Sequence, residues 1–326
     1  MNSLWRTIAV AAFVAAHCTS GFGQTAEQPV VWIVEIDNLI TYRGDVTDST
    51  KLARDPGVTT PLPVRAFQVT YNAADIVVIN GKPAKGLFST WSGTLEPSLI
   101  PQTGRMIADF DGRGPFRTHW LILGPDGTWI GTLWGGMGAP AATDAIIAGN
   151  GAFFGVVGET RTLEVIRAGR AASVTEDPAN RRVNGGGGRL RFIIFLYPRY
   201  RPSVDMTADG PAVFRAADFS PVTAARPARA GEVLMVRARN LGPTRPDLLP
   251  PGSRPFKADP VEMVNSPVEV TVNGKEVEVI NQVGWPGTYD LYRVDFRVPS
   301  GLPPGTATIQ LTAAWIPSPE VKIPVQ

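Results

Sequence analysis

An all-β chain of two antiparallel domains is what this sequence predicts, on three observations. Gly and Pro supply 34 and 30 of its 326 residues, and each interior Gly or Pro costs a helix roughly 1 or 3 kcal/mol. Apolar, β-branched and aromatic residues alternate with period two in short runs separated by turn dipeptides. Length divided by about 150 gives two domains, each large enough to bury a core. Antiparallel sheets leave unpaired edges, so closure into a barrel or stacking into a sandwich is expected.

Charge narrows the function classes. Thirty-one Lys and Arg stand against 29 Asp and Glu, a net charge of +2 with only 18% of residues charged. That balance excludes an acidic tail, a polybasic nucleic-acid binder and a disordered polyampholyte. Arg6 precedes an uncharged run from Thr7 to Ala16, and Ser20, Gly21 and Gly23 lie just ahead of Gln24. This is the layout of a secretory signal peptide over residues 1–23, and the run is short of the ~20 residues of a permanent span. Cys18 as a lipid-attachment site is disfavoured by His17. Export by a Sec-type signal to the periplasm or beyond is therefore expected. The mature chain then keeps no cysteine and one histidine, His119, which removes Cys nucleophiles, Cys-ligated zinc and multi-His metal sites. No cofactor, nucleic acid or membrane span is expected.

Along the first half, Val30–Ile36 opens as a strand, followed by Phe67–Tyr71, Ile76–Ile79 and Leu87–Trp91, with Asn80-Gly81 as a tight hairpin turn. Phe116–Leu123 places Phe116, Thr118, Trp120 and Ile122 on one face and Arg117, His119, Leu121 and Leu123 on the other. Gly124-Pro125-Asp126-Gly127 turns into Trp129–Trp134, and Ala145–Ile147, Phe153–Val157, Arg161–Ile166 and Leu190–Tyr197 complete the set. Two glycine clusters invite a nucleotide reading and fail it. Gly185–Gly188 runs into Arg189-Leu190 without Gly-Lys-Ser/Thr, and Gly149, Gly151 and Gly155 miss the dinucleotide spacing among strands.

Pro198, Pro202 and Pro211 mark residues 198–210 as a linker between a first domain at 30–197 and a second at 211–326. Glu232–Ala238 reads as a strand, followed by a Pro-rich excursion from Pro243 to Pro260. Val268–Val272, Asn273-Gly274 and Val277–Ile280 form a hairpin, and Leu291–Val298 and Thr306–Ala313 fill out a small sandwich.

Each half also resembles a known family. Ala230-Gly231-Glu232, Asn240-Leu241-Gly242-Pro243, Val270–Lys275, Tyr292–Pro299 and Leu302-Pro303-Pro304-Gly305 resemble the immunoglobulin-like IPT/TIG domain that ends many exported bacterial proteins. This resemblance implies a structural or binding module. The stretch Ala148–Glu159, with Phe153 between its glycines, is similar to the Gly-rich segment of the allene oxide cyclase and dirigent-like superfamily, although Asn150 and Val157 depart from the family pattern. That resemblance implies an eight-stranded antiparallel barrel with an apolar lumen, in families that isomerise oxylipins or steer phenol coupling. It also directs attention to Glu159.

Three groups of residues carry candidate chemistry. Glu159, and after it Glu35, Asp37 and Glu96, lie nearest apolar strands; a carboxylate in a dry lumen has a raised pKa and can serve as a general base. Trp91, Trp120, Trp129, Trp134, Phe153 and Phe154 can line a ligand cavity, although aromatic strand residues fill cores by default. Asp109 and Asp111 alternate ahead of Gly112, as oxygen ligands for Ca²⁺ or simply as an Asp-Gly turn. His119 has no Gly-x-Ser-x-Gly elbow to serve. The leading expectation is an exported, non-catalytic binder of a small hydrophobic or phenolic ligand, or of a cell-surface or extracellular partner. An isomerase or cyclase working through a lumen carboxylate is the first alternative, and a structural envelope or matrix protein the second.

Overall fold

The computed structural model describes residues 28–44, 67–95, 117–136, 143–169, 171–173 and 187–326, and these contain strands and turns with no helix. The first half supplies β1 (Val30–Gly44), β2 (Phe67–Ile79), β3 (Lys82–Leu95), β4 (Arg117–Leu123), β5 (Trp129–Gly136), β6 (Thr143–Gly151), β7 (Val157–Arg167), β8 (Ala171–Ser173) and β9 (Gly188–Tyr197). Neighbours run β2-β3-β4-β5-β6-β7-β9-β1, and β1 pairs back onto β2. Every one of these pairings is antiparallel, so eight strands close into a barrel with no free edge; β8 adds a short parallel pairing outside β1.

Side-chain alternation sets the interior. Trp32, Val34 and Ile36 of β1 and Thr118, Trp120 and Ile122 of β4 are all but fully buried, while Val31 and His119 face outward. Asn80 and Gly81 carry φ of 51° and 77°, the two left-handed residues that a tight two-residue hairpin requires. Two expectations change. Phe67–Tyr71 and Ile76–Ile79 are one strand, continuous through a bulge between Ile76 and Val78. Phe153–Val157 does not open as a strand. Phe153 donates its N–H to the Asn150 carbonyl and Val156 to that of Phe153, while Gly151 and Gly155 take φ of 63° and 76°. The chain thus folds back sharply, driving Phe153 into the core and leaving Phe154 outside. Gly149 is obligatory here, because a Cβ would overlap the Phe153 carbonyl.

The two ends of the barrel differ. At the base, short turns join β2 to β3, β4 to β5 and β6 to β7, and the lumen is solid. Trp32 meets Phe153 at 5.4 Å, and Trp120 meets Phe88 and Phe192 at 4.5 and 5.1 Å. At the other end, β1, β3, β5 and β7 finish and β2, β4, β6 and β9 begin, so the connecting segments 45–66, 96–116 and 137–142, and the excursion 168–187 that includes β8, all leave from one mouth.

The second half forms two sheets around one core. Val213–Arg215, Val233–Arg239, Val279–Gly284 and Tyr292–Arg297 belong to one, and Val268–Val272, Lys275–Val277, Gly305–Ala313 and Val321–Val325 to the other. Leu234, Val236, Val270, Val294, Phe296, Ile309 and Leu311 fill the space between. Residues 198–210 are not a free linker throughout. Ser203 and Val204 pair with Arg239 and Ala238, and the Asp205 carboxylate accepts from Arg237 and Arg239 at 3.0 and 2.6 Å, which binds this stretch into the second unit.

A hairpin of the second unit docks against the barrel base. Ala314 and Trp315, at φ 49° and 59°, turn Gly305–Ala313 into Ile316–Pro317, and Ala314 and Ile316 are buried within the barrel's own apolar cluster. The Trp32 indole donates Nε1–H to the Trp315 carbonyl at 3.1 Å, with the rings edge to face at 6.0 Å. Asn265 donates to the Trp129 carbonyl at 2.7 Å, and Lys82 meets Glu269 and Glu276 at 2.8 Å each.

Candidate functional site

The upper half of the lumen, between the aromatic floor and the mouth, holds a cavity of about 290 Å³. Phe88 and Phe192 form its floor, and Leu39 and Leu190 its apolar wall. Asn72, Thr90, Asp144, Thr160 and Thr162 supply its polar lining, and Arg161 stands at its edge.

Among the described residues, Asp144 is the ionisable group inside. It sits near the start of β6, two residues before Ile146, so strand alternation turns both side chains inward. Its Oδ2 accepts a hydrogen bond from Thr118 Oγ1 at 2.9 Å. Burial pushes its carboxyl above the usual carboxylate range, and the Thr118 hydrogen bond draws it only part of the way back. Among the described residues no cation pairs with it. Directly across the β6–β7 ladder lies Thr160, 2% exposed, whose hydroxyl is buried without a hydrogen-bond partner. Asn72 donates Nδ2–H to Thr90 Oγ1 at 2.8 Å on the opposite wall. The site thus sets an acceptor-rich carboxylate beside an unspent hydroxyl, over an apolar floor.

The residues singled out from sequence are dispersed by the fold. Glu159 faces outward on β7, half exposed, and pairs with Arg161 at 3.2 Å. Alternation dictates this, because its neighbour Thr160 points in. Glu35 is also outside the lumen. It takes hydrogen bonds from Arg191 and then Arg189, at 2.7 and 2.6 Å, which hold its carboxyl below the ordinary range. Asp37 pairs with Arg167 at 2.9 Å. Of the aromatic set, Trp120 and Phe153 are core, and Trp129 lies at the junction with the second unit. Trp134 is 40% exposed and packs edge-on against His119 at 4.1 Å on the outer wall, and Phe154 is exposed. The side chain of Trp91, and the whole of Glu96, Asp109, Asp111 and residues 1–23, lie outside the described residues. Phe88 and Phe192, which do meet the cavity, and Asp144 escaped the sequence reading. Asp144 escaped by one position, since the strand was placed at Ala145–Ile147. Its spacing of two from Ile146 was the usable signal.

No protein-family model, curated protein or solved structure matches this chain.

Proposed function

We propose that the barrel is a binding protein for a small, largely apolar molecule carrying one uncharged hydroxyl head, phenols included. The observation that carries this reading is Asp144 beside the unspent Thr160 hydroxyl in a half-open apolar cavity. A ligand hydroxyl there donates to the carboxylate and accepts from Thr160. A ligand carboxylate would instead meet a like charge in a poorly solvated site. We read the second unit as an immunoglobulin-like sandwich that seals the base and docks the barrel, and the whole as exported. These assignments rest on the paired sheets with one core and on the apolar leader at Thr7–Ala16.

One observation favours a second reading, an isomerase or cyclase. A carboxyl held by burial above its ordinary range, beside a buried hydroxyl, is suited to proton transfer. Calorimetric titration with a 4-alkylphenol and the matching 4-alkylbenzoate tests the binding reading. Preference for the phenol, erased by Asp144→Asn and kept by Glu159→Gln, is expected. Equal affinity for both compounds, or no binding of either, would overturn it.

A further inference from the structure

At the base of the barrel, away from the Asp144 cavity, a second cleft of about 260 Å³ opens between the two units. One wall is the tight turn carrying Ala152 and Phe154, joined by Tyr200 just beyond β9. The other is built from Asn240, Gly242, Pro251-Gly252 and Asp290. Three features set its chemistry. Phe154 and Tyr200 are 53% and 48% exposed, two large rings on the rim of one concave site, where isolated exposed rings would call for no explanation. Asp290 is the one charged residue among the described residues lining the cleft. Its neighbours leave that charge under-compensated. Asn240 gives Asp290 Oδ1 a backbone N–H at 3.1 Å but spends its side-chain amide on the Arg201 carbonyl at 3.0 Å. Arg239 is held by Asp205 at 2.6 and 3.3 Å, and Arg199 lies over the Tyr200 ring at 5.3 Å.

Burial raises the Asp290 carboxyl above its usual range, against partial relief from the Asn240 N–H, the Arg239 charge and the Tyr292 hydroxyl. A carboxylate that makes no direct ion pair among the described residues, its charge only partly offset by Arg239, and that shares a concave site with two exposed rings has the composition that recognises organic cations. Ligand sites also favour such junctions between domains.

From this we infer that the inter-unit cleft formed by Phe154, Tyr200 and Asp290 binds an organic ammonium group. The rings contact its alkyl substituents and the carboxylate faces its charge. This site is independent of the barrel cavity, so each can fail without the other.

The test uses the full chain, followed by the backbone amide signals of Gly151, Gly242 and Gly252. Choline is titrated against its uncharged isostere 3,3-dimethylbutan-1-ol. Saturable shifts with choline are expected, with the isostere weaker by about tenfold or more. Asp290→Asn retains an acceptor for the Asn240 N–H and is expected to weaken choline roughly tenfold. Tyr200→Ala, at an exposed position, should do likewise, and Asp144→Asn should leave the choline-induced shifts unaltered. Equal affinity for the isostere, indifference to both Asp290→Asn and Tyr200→Ala, or no shifts up to the solubility limit would overturn the inference.

Discussion

Trp315 belongs by chain to the second unit and by packing to the first, so truncating it measures how far the barrel depends on its neighbour. The side chain is largely buried against the barrel's apolar cluster. Removing about 150 Å² of apolar burial at ~25 cal/mol/Å² forfeits about 4 kcal/mol as an upper figure. Partial collapse of the neighbours lowers it, and loss of the edge-to-face contact with Trp32 adds ~1 kcal/mol. The hydrogen bond from Trp32 survives, since its acceptor is the main-chain carbonyl of residue 315. The left-handed backbone cost also cancels, because Ala bears it as Trp does. Trp315→Ala is therefore expected to cost about 3 kcal/mol, within the range of large aromatic truncations. Trp134→Ala, on the exposed outer wall, should cost about 1 kcal/mol. Urea melts read by far-ultraviolet dichroism compare the two, and scanning calorimetry shows whether one transition becomes two. If Trp315→Ala proves no more damaging than Trp134→Ala, the docked hairpin is not a structural part of the barrel.

Two further outcomes follow from the interior. Because the folded Asp144 carboxyl titrates above its ordinary value, the stability its protonated form allows is complete below the ordinary carboxylate pKa. It is lost as pH rises through the folded one. Asp144→Asn should match the parent in acid and exceed it increasingly toward neutrality in urea melts at stepped pH, and a constant difference across that range would refute the assignment. Gly149→Ala, whose Cβ would overlap the Phe153 carbonyl, should cost about 2–3 kcal/mol or prevent soluble expression; an unchanged melting temperature would contradict the geometry of the turn.

What the chain reveals in advance is what local patterning governs. The period-two alternation put Thr118, Trp120 and Ile122 on one face, which proves to be the buried one, and Asn80-Gly81 specified its turn, because both depend on nearest neighbours. The carboxylate of the cavity was harder. Glu159 drew attention because it closes the glycine-rich stretch Ala148–Glu159, yet one step of parity turns it outward, and Asp144 was not among the candidates. Placing Asp144 required the true start of β6, and the Gly, Ala and Pro residues at 135–142 obscure strand propensity there. The bulges between Thr162 and Glu164 and between Val165 and Arg167 break alternation along β7 as well. Contacts between the units, such as Trp32 with Trp315, span 283 positions of sequence and leave no local trace.

The four chain excursions between strands at the cavity end share that end alone, whereas the opposite end is committed to the docked hairpin. Substitutions at described positions lining the cavity therefore leave the contacts of Trp32 with Phe153 and Trp315 untouched. A laboratory library confined to the cavity-lining positions Leu39, Asn72, Thr90 and Thr162 should therefore tolerate diversity that the hairpin at 314–316 would not.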